Sequence, residues 1–535
     1  LALALARRAA GDAAGAVAML EAASRRRPDL AELHYNLGVT YFHARQLDLA
    51  IAALEQAMNC PRPLGKAAVR LAQAAQAACD WELLERLWPK LRAEADAAVA
   101  GRPCEISPFF SLSLPLSEAE RAAIARAKAR QVEARVAADR AAAGLERRRP
   151  GADAAGPLRV GYLCSDFRDH PTSHLMAGMF ALHDRERFYV AAYSHGPDDG
   201  SAYRRRVQRG VDAFVDIAYM NHVEAAERIA ADGIQVLVDL NGWITHARPE
   251  IAAMRPAPVQ ATYLAFPGTT GAQFFDYALT DVTVTPPASQ AHYTEALALL
   301  PDCYQANDRD REIAAPTTRA AEGLPDGAFV LCCFCANFKI ERRVFEIWMR
   351  LLDKMPEAVL WLFAESAEAE RNLRAAAART GLAAGRLIFA TRKPKAEHLA
   401  RLALADLFLD TLTYGAHTTA SDALSAGVPV ATCRGDSFAG RVGASLMGAV
   451  GLAELVAGSP AEYEALAMRL AADRDMLARA KAALARNLPA CPLFDTARLV
   501  RNIELAYRAM WERWRRGEKP RGFAVGPPAE APRDG

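Results

Sequence analysis

The sequence lacks the features that mark three special classes of protein. Its 65 Lys and Arg nearly balance its 63 Asp and Glu, and a net charge of +2 offers no basic face for a nucleic acid. No uncharged apolar run approaches about 18 residues, so we predict no membrane span. Ten cysteines in 535 residues are too few for a disulfide scaffold and favour a reducing location, the cytoplasm.

Length and apolar content indicate a globular protein with several domains. Apolar residues make up 52% of the chain and charged residues 24%, which is typical of folded sequences. A length of 535 residues predicts two or three domains. The chain begins at Leu1 inside a predicted helix, so we expect it to be part of a longer protein, in which case a removed targeting segment is not visible here.

Residues 1–100 are rich in Ala and Leu and have helical periodicity without a strand signal. The pattern at 31–64 resembles a tetratricopeptide repeat, and a shift of about 34 residues reaches a second, weaker unit. The matching positions are Leu37, Gly38, Tyr41, Ala50, Leu54, Ala57 and Pro61, and then Ala16, Leu20, Ala23 and Pro28. An array of generic helical hairpins is the alternative, and both predict a recognition or docking surface.

Residues 101–157 are predicted to be a helical linker that ends in the charged, helix-breaking segment 147–151. From residue 158, short apolar runs alternate with helical stretches, which indicates parallel sheets. The predicted strands are 158–163, 189–193, 236–240, 259–264, 277–280, 329–334, 359–363, 387–390, 407–409 and 428–432. We expect two Rossmann-like halves, 158–315 and 316–515, that face each other across a cleft, and a disordered tail at 516–535.

The sharpest candidate site is the segment His417-Thr418-Thr419 with Asp422, which follows the predicted strand 407–409. In a parallel sheet, ligands bind at the carboxyl ends of strands, and the start of a helix offers unpaired N–H groups to a diphosphate. A carboxylate one turn later is suited to bind the hydroxyls of a ribose. The alternative is that Thr418 or Thr419 only caps the helix and that Asp422 improves its dipole.

A second candidate is Lys339, which follows the strand 329–334 and is placed to meet a phosphate. The nearby spacing Cys332-x-x-Cys335 is not accompanied by a second pair with zinc spacing, so we interpret these cysteines as buried strand residues. A third candidate, Lys395, His398 and Arg401, begins a helix and is placed to flank a base and a sugar, although a surface helix start looks the same.

The first half contributes weaker candidates. His170 follows the opening strand, where a loop projects into the cleft; alternatively, Thr172 or Ser173 caps the next helix and His170 is not involved. The loop Pro267-Gly268-Thr269 is suited to cradle an acceptor or a phosphate through its backbone.

Two Asp-x-Asp motifs match a pattern that holds a divalent metal on a sugar nucleotide. Neither 308–310 nor 473–475 directly ends an apolar strand, and each contains an Arg that offsets the carboxylate charge. We therefore interpret both as solvated charges and expect no metal or other cofactor.

Together these residues resemble the O-linked N-acetylglucosamine transferase family, glycosyltransferase family 41, especially its bacterial members. The stretches that carry the resemblance are 158–162, 170–174, 197–200, 255–260, 267–271, 331–334 with Lys339, and 416–424. They occur in the family's order, after helical repeats. The resemblance implies a GT-B fold and an inverting, metal-independent transfer of the sugar of UDP-GlcNAc to Ser or Thr of an acceptor protein bound by the cleft and the repeats.

The resemblance also implies a role for each matched residue. Lys339 matches the lysine that contacts the diphosphate and assists departure of UDP, and His170 matches a histidine near the acceptor. The residues matching contacts to the donor are His417, Thr418 and Thr419 at the phosphates, Asp422 at the ribose, Lys395, His398 and Arg401 near the uridine, and Pro267, Gly268 and Thr269 near the sugar. Phe338 departs from the Tyr of eukaryotic members and loses a hydroxyl.

The expected chemistry agrees with these roles, because departure of UDP builds negative charge that a Lys and free N–H groups stabilise. His170 and a phosphate oxygen of the substrate are both candidates to accept the proton of the attacking hydroxyl. Two alternative functions are a protein O-fucosyltransferase of the Spindly type, using GDP-fucose, and a repeat scaffold with an inactive transferase half.

Overall fold

A computed structural model describes residues 1–9, 11–145 and 156–526. Within these residues, eight helices precede the first strand: α1 (Ala2–Ala9), α2 (Ala13–Arg26), α3 (Ala31–His43), α4 (Leu47–Asn59), α5 (Gly65–Ala77), α6 (Trp81–Val99), α7 (Pro108–Ser111) and α8 (Glu118–Ala143). A Cβ atom at Gly38 of α3 would lie 2.6 Å from Leu54 Cγ of α4. The predicted helical hairpins are therefore present, with a small residue where two helices cross closely.

The predicted linker is an integral part of the molecule, because α8 packs along the first Rossmann-like half. The helix begins with a capping box between Ser117 and Glu120. Gly271 has a φ of +66°, and a Cβ atom there would lie 2.4 Å from the Arg126 backbone nitrogen of α8. Only glycine permits this approach. The predicted helix-breaking segment 147–151 lies outside the described residues.

The first half, which we call the N-terminal half, contains the strands β1 (Leu158–Cys164), β2 (Phe188–Ser194), β3 (Ala213–Asp216), β4 (Val236–Asp239), β5 (Val259–Thr262), β6 (Tyr277–Asp281) and β7 (Ala296–Leu300). Its helices are α9 (Pro171–Met176), α10 (Ala202–Gly210), α11 (His222–Ala231) and α12 (Pro249–Ala253). These strands pair in the order β7-β6-β5-β4-β1-β2-β3, each pair parallel. A parallel sheet covered on both faces explains why its strands read as continuous apolar runs.

The second half, the C-terminal half, has the strands β8 (Phe329–Cys333), β9 (Ala358–Phe363), β10 (Leu387–Ala390), β11 (Leu407–Leu409), β12 (Val430–Cys433) and β13 (Val456–Ala457). Its helices are α13 (Arg342–Lys354), α14 (Ala367–Ala378), α15 (Lys395–Leu402), α16 (Thr418–Ser425), α17 (Phe438–Ala449), α18 (Pro460–Ala472), α19 (Arg474–Asn487) and α20 (Thr496–Arg515). The parallel sheet has the order β10-β9-β8-β11-β12-β13. The two predicted sheets are thus confirmed.

The predicted boundary between the halves needs a correction at α20, because this helix packs against the N-terminal half. The Tyr507 hydroxyl donates to the Tyr162 hydroxyl of β1 at 3.1 Å, and Glu504 lies 3.0 Å from His183 Nδ1. These side chains are buried. The order of the predicted strands did not indicate this return, because the pattern of an amphipathic helix does not show which sheet the helix covers.

The predicted disordered tail is wrong for its first part. Residues 523 and 524 form β14 (Phe523–Ala524), which pairs in parallel with Ala298 and Leu299 at the edge of the first sheet. The Phe523 ring also contacts Tyr277 with 6.0 Å between centroids. The Pro/Gly-rich composition concealed a two-residue strand, and residues 527–535 lie outside the described part of the chain. In the described residues, the helices are too short or too polar to cross a membrane.

Candidate active site

The loops after β8 and β11 leave the same edge of the second sheet. These strands are neighbours in parallel register, with Leu407 opposite Leu331. The loop after β8 ends in a short 3-10 turn, Asn337–Lys339, and the loop after β11 leads into α16. Sequence-distant residues therefore meet at the carboxyl edge, as expected for a ligand site in a parallel sheet.

Lys339 lies directly beside the entry to α16. Its Nζ donates a hydrogen bond of 2.8 Å to the Gly415 carbonyl and lies 3.8 Å from the centroid of the Tyr414 ring. Burial lowers the pKa of Lys339, while nearby Cys335 and Asp410 act in the opposite direction. The ammonium is thus held in a site with little water, where its charge acts strongly on a neighbouring anion.

Asp410, at the end of β11, fixes the loop that leads to α16. One carboxylate oxygen accepts hydrogen bonds from the backbone N–H groups of Ala416 at 2.6 Å and Thr411 at 2.7 Å. The other accepts from the Thr432 hydroxyl at 2.7 Å. Burial raises the pKa of Asp410 to about 6, although these hydrogen bonds favour its charged form. The sequence pattern did not predict this role for Asp410.

The start of α16 is arranged differently from the alternative in which a threonine caps the helix. His417 is the N-cap residue, and Thr418 and Thr419 lie inside the first turn. The His417 Nε2 donates to the Ala439 carbonyl at 3.2 Å instead of capping the helix. Burial, reinforced by nearby Lys339, holds the pKa of His417 well below its usual range. A neutral imidazole thus stands beside a positive helix end.

Asp422 has both carboxylate oxygens in ion pairs. Arg311 lies 3.0 Å from one oxygen, and Lys395 donates to the other. Only 3% of the Asp422 side chain is exposed. Burial alone would raise the pKa of this carboxyl, but Lys395 and Arg311 hold it below its usual value. Asp422 therefore stays ionised and can accept hydrogen bonds from the hydroxyls of a ligand.

Arg311 is a residue of this cluster that the sequence analysis missed. It comes from the segment between the two halves and is also bonded to Asn307 Oδ1 at 3.0 Å and to the Asp308 carbonyl at 2.8 Å. Local sequence shows only alternating charges here. The partner of Arg311 is more than 100 residues away in the chain, so no spacing rule could have revealed it.

His398 and Arg401 lie on α15 beside this cluster. The His398 ring is 5.1 Å from the Phe334 ring, and burial lowers the pKa of His398 to about 4. Arg401 is buried beneath it and donates to His398 Nδ1 at 3.2 Å and to the Thr391 carbonyl at 2.7 Å. The structure therefore places Arg401 behind His398, where it orients the imidazole.

The N-terminal half contributes His170, which is itself the N-cap of α9, so the alternative in which Thr172 or Ser173 caps this helix is wrong. His170 Nδ1 accepts from the Thr172 backbone N–H at 3.3 Å and lies 3.7 Å from Asp166 Oδ2. Burial lowers the pKa of His170, although Asp166 acts in the opposite direction. Asp166 is oriented by Asn241 Nδ2 at 3.0 Å.

The helix α9 of the N-terminal half faces the cluster of Asp422, Arg311 and Lys395 across the cleft. A small cavity between the halves is lined by His174 and Tyr203 of the N-terminal half together with Arg311, Lys395 and Leu399. Burial lowers the pKa of His174, and the charges of Lys395 and Asp422 act on it in opposite directions across the cleft. Residues of both halves thus line one cavity, and Lys395 is the predicted site residue among them.

The loop 267–269 is bound by the carboxylate of Glu295, which the sequence did not indicate. The Thr269 hydroxyl donates to Glu295 at 2.6 Å, and the Thr270 backbone N–H donates to the other oxygen at 2.6 Å. Glu295 is fully buried, and burial raises its pKa. The Thr269 hydroxyl is therefore directed to Glu295, and Pro267, Gly268 and Thr269 together line a cavity that Phe438 of the C-terminal half also borders.

The rejected metal motifs lie in ion pairs and at a helix start. Asp308 is buried rather than solvated, contrary to the prediction, because Arg206 binds it. Asp473 caps α19. Among the described residues, no three His, Cys, Asp or Glu are grouped so that they could hold a metal. Cys332 and Cys335 are buried free thiols as predicted, but only Cys332 belongs to β8, and Cys335 lies in the loop after it.

Comparisons with known proteins agree with the fold and the repeats. Residues 78–315 and 306–503 match the family described as glycosyl transferase family 41, and residues 7–63 match the tetratricopeptide repeat. A solved structure of a Thermobaculum terrenum O-GlcNAc transferase mutant superposes with a TM-score of 0.77 at 28% identity, covering 96% of this chain and 97% of that one. The predicted GT-B architecture behind helical repeats is confirmed.

Two curated plant proteins are similar to more than two thirds of this chain. The probable UDP-N-acetylglucosamine--peptide N-acetylglucosaminyltransferase SEC of Arabidopsis thaliana is 39% identical over 375 residues, which are 69% of this chain and 38% of that protein. The similarly named SPINDLY protein of Solanum lycopersicum is 31% identical over 372 residues, which are 68% and 40%. The chain thus spans less than half the length of these relatives.

Proposed function

Because this chain belongs to glycosyl transferase family 41, we propose that it transfers N-acetylglucosamine from UDP-GlcNAc to Ser or Thr hydroxyls of proteins. The names of its curated relatives and of the structural neighbour support this donor and this kind of acceptor. The SPINDLY relative is less similar than SEC, at 31% against 39% identity, which favours the GlcNAc reaction over the fucosyl alternative.

The observation that carries the proposal is the position of Lys339 at the entry to α16. The diphosphate of the donor binds between this ammonium and the N–H groups at Thr418 and Thr419, with His417 beside them. When the bond to the sugar breaks, negative charge grows on the β-phosphate. Lys339 is already in place and partly desolvated, so it stabilises the departing UDP more than the intact donor.

The remaining donor contacts follow the second cluster. The ionised Asp422 accepts hydrogen bonds from the ribose hydroxyls, and Lys395 stands beside it. The neutral His398, oriented by Arg401, presents its ring to the uracil. Pro267 and Gly268 border the sugar, and Thr269 holds their loop on Glu295. These assignments give each predicted residue a contact or a positioning role.

The acceptor hydroxyl attacks the face of the sugar opposite UDP, which inverts the anomeric carbon, and it needs a proton acceptor as it attacks. Because burial lowers the pKa of His170, its imidazole is neutral at physiological pH. It can therefore take the proton of the hydroxyl. A phosphate oxygen of the donor is the other candidate. We propose that no metal takes part, since Lys339 and the helix start supply the positive charge.

The acceptor protein enters through the cleft and contacts the repeats, which are suited to hold an extended segment. We further propose that the protein works in a reducing compartment such as the cytoplasm. The ten free cysteines support this location, because thiols persist where glutathione keeps them reduced.

The test compares three donors with the full chain: UDP-GlcNAc, UDP-glucose and GDP-fucose. We expect UDP-GlcNAc to be bound and hydrolysed best, with the same rate in excess EDTA. By calorimetry, Asp422→Ala should weaken UDP binding by about 10-fold or more, since a charged hydrogen-bond acceptor is lost. Preference for GDP-fucose would establish the alternative function, and absence of binding to all three would indicate an inactive scaffold.

A further inference from the structure

The turn that carries Lys339 contacts the helical array as well as its own half. The Trp81 indole Nε1–H, at the first residue of α6, donates a hydrogen bond of 3.0 Å to the Ile340 carbonyl. The Cys79 thiol, just before α6, lies 3.6 Å from the Asn337 carbonyl. Two groups of the array therefore bind the backbone on either side of Lys339.

The C-terminal half holds the same turn from the opposite side. The Asn337 side chain donates to the Phe363 carbonyl at 2.8 Å and accepts from the Glu365 backbone N–H at 2.6 Å. These bonds fix Asn337, and the Ile340 N–H donates to the Asn337 carbonyl within the turn at 3.0 Å. The Ile340 carbonyl is bound by Trp81 of the array. The Trp81 ring is 6% exposed and packs 5.3 Å from the Phe345 ring of α13, so its N–H is held rigidly.

A residue of the linker also contacts the surroundings of Lys339. Phe109 of α7 contacts both Phe338 and Tyr414, with centroid distances of 6.1 Å and 6.2 Å. Tyr414 is the ring over which the Lys339 ammonium lies. Residue 338 lacks the hydroxyl of a Tyr, and its ring serves this apolar contact instead. The environment of Lys339 is thus built partly by residues before the first strand.

We propose that Trp81 is a positioning residue for Lys339, so that the helical array takes part in the chemical step as well as in acceptor docking. This inference rests on the proposed function, in which Lys339 stabilises the departing UDP. A lysine side chain is long and flexible, and its backbone must be fixed for the ammonium to reach one place reliably. Errors of about 1 Å at a reacting group cost about 100-fold in rate.

The decisive variant is Trp81→Phe, which removes the N–H donor and keeps an aromatic ring, although a smaller one, against Phe345. The readout is hydrolysis of UDP-GlcNAc without an acceptor, because acceptor docking cannot affect it. We expect kcat to fall about fivefold to tenfold, as for the loss of one hydrogen bond that acts in the transition state. The Kd for UDP should change by less than about twofold.

The matched control is Arg371→Gln, at the same interface between the array and the C-terminal half. Arg371 of α14 binds Asp48 of α4 at 2.8 Å and 2.9 Å but does not touch the turn at 337–340. Its side chain is 57% exposed. We expect this variant to retain the kcat of the native chain. An equal loss in both variants would mean that the interface acts only as a scaffold, and it would overturn the proposal.

The pH profile distinguishes positioning from general damage. Burial lowers the pKa of Lys339, and only the protonated ammonium stabilises UDP, so activity is lost as pH rises through that pKa. When the turn loosens, water reaches Lys339 and its pKa rises. We therefore expect the alkaline limb of the Trp81→Phe profile to move to higher pH. A uniform loss of activity at every pH would contradict the proposal.

A second variant keeps the test decisive if Trp81→Phe does not fold. Cys79→Ala removes the thiol at Asn337 and adds no strain, since Cys79 already has a φ of +53° that alanine tolerates no worse. We expect a smaller loss of kcat in the same direction, and an unchanged kcat would overturn the proposal. An inactive native chain would overturn the proposed function as well, whereas an active native chain with equally active variants would overturn only this inference.

Discussion

At residue 339, the chain places an ammonium group where a loop carbonyl and an aromatic ring take the place of water. The Gly415 carbonyl and the Tyr414 ring both belong to the segment between β11 and α16. The lysine and the helix start that it serves are therefore held together before any ligand arrives. Such preorganisation is what makes a fixed charge effective in catalysis.

Lys339→Ala tests this charge directly. We expect hydrolysis of UDP-GlcNAc to fall by about 100- to 1,000-fold, because the growing charge on UDP loses its main partner. The fold should persist, with an unchanged circular dichroism spectrum and a melting temperature within a few degrees. Lys354→Ala, at an exposed lysine 3.8 Å from Glu464, is the control that should retain full activity. Near-native turnover without Lys339 would remove this residue from the mechanism.

The individual residues of the site were predictable where they stand next to a strand end. Lys339 and His417 lie in loops that follow apolar runs, and Asp422 lies about one turn into the helix after the second loop, so the rule for parallel sheets places all three at the ligand edge. Arg311 and Glu295 were not predictable, because each acts on a residue far away in the chain or in another loop. Trp81 lies in a different domain from the turn that it binds.

At the scale of single elements, the loop from β11 to α16 depends on one buried carboxylate. The Asp410 carboxylate accepts hydrogen bonds from two backbone N–H groups and one hydroxyl. Burial raises its pKa to about 6, so the folded protein holds this proton more tightly than the unfolded chain does. The contribution of the group to stability is complete below about pH 4 and is lost as pH rises through about 6.

Asp410→Asn removes this pH dependence and keeps the shape of the loop, because the amide can accept the two N–H groups and donate to Thr432. We expect the variant to gain stability relative to the native chain between about pH 4 and pH 7, by up to about 3 kcal/mol. Urea unfolding at pH 4, 5.5 and 7 measures the difference. The exposed Asp436→Asn is the control. A difference between Asp410→Asn and the native chain that is independent of pH would contradict the expectation.

Elements were predictable when their apolar pattern was continuous. The strands that the sequence analysis identified are buried along most of their length, as in β6 and β8. It missed β3, which is only partly buried and so lacks a clean apolar run, and the two-residue strands β13 and β14. It also missed β7, whose alternating Ala and Leu are equally typical of a helix.

At the scale of the whole molecule, α20 joins the end of the chain to the first sheet. A buried chain of hydrogen bonds runs from the Tyr507 hydroxyl through the Tyr162 hydroxyl to His183, which is 3.0 Å from Glu504. Domain order along the sequence did not indicate this contact. The stability of the two halves is therefore coupled through one helix.

Tyr507→Phe should weaken this coupling without changing the packing of the ring. We expect the free energy of unfolding to fall by about 1 kcal/mol, the usual net value of a buried hydrogen bond. Urea unfolding followed by circular dichroism measures it. The same substitution at the fully exposed Tyr219 is the control and should have no effect. An unchanged urea midpoint for Tyr507→Phe would show that the hydrogen bond between the two hydroxyls does not stabilise the contact between α20 and the first sheet.

Because α20 packs against the N-terminal half, it also limits how the two halves can move relative to each other. The chain passes from one half to the other twice, once in the segment before β8 and once just before α20. Two bodies that are connected at two separate points rotate most freely about the line through those points. We expect the two chain crossings to favour rotation of the halves about that line over twisting or sliding of one half across the other.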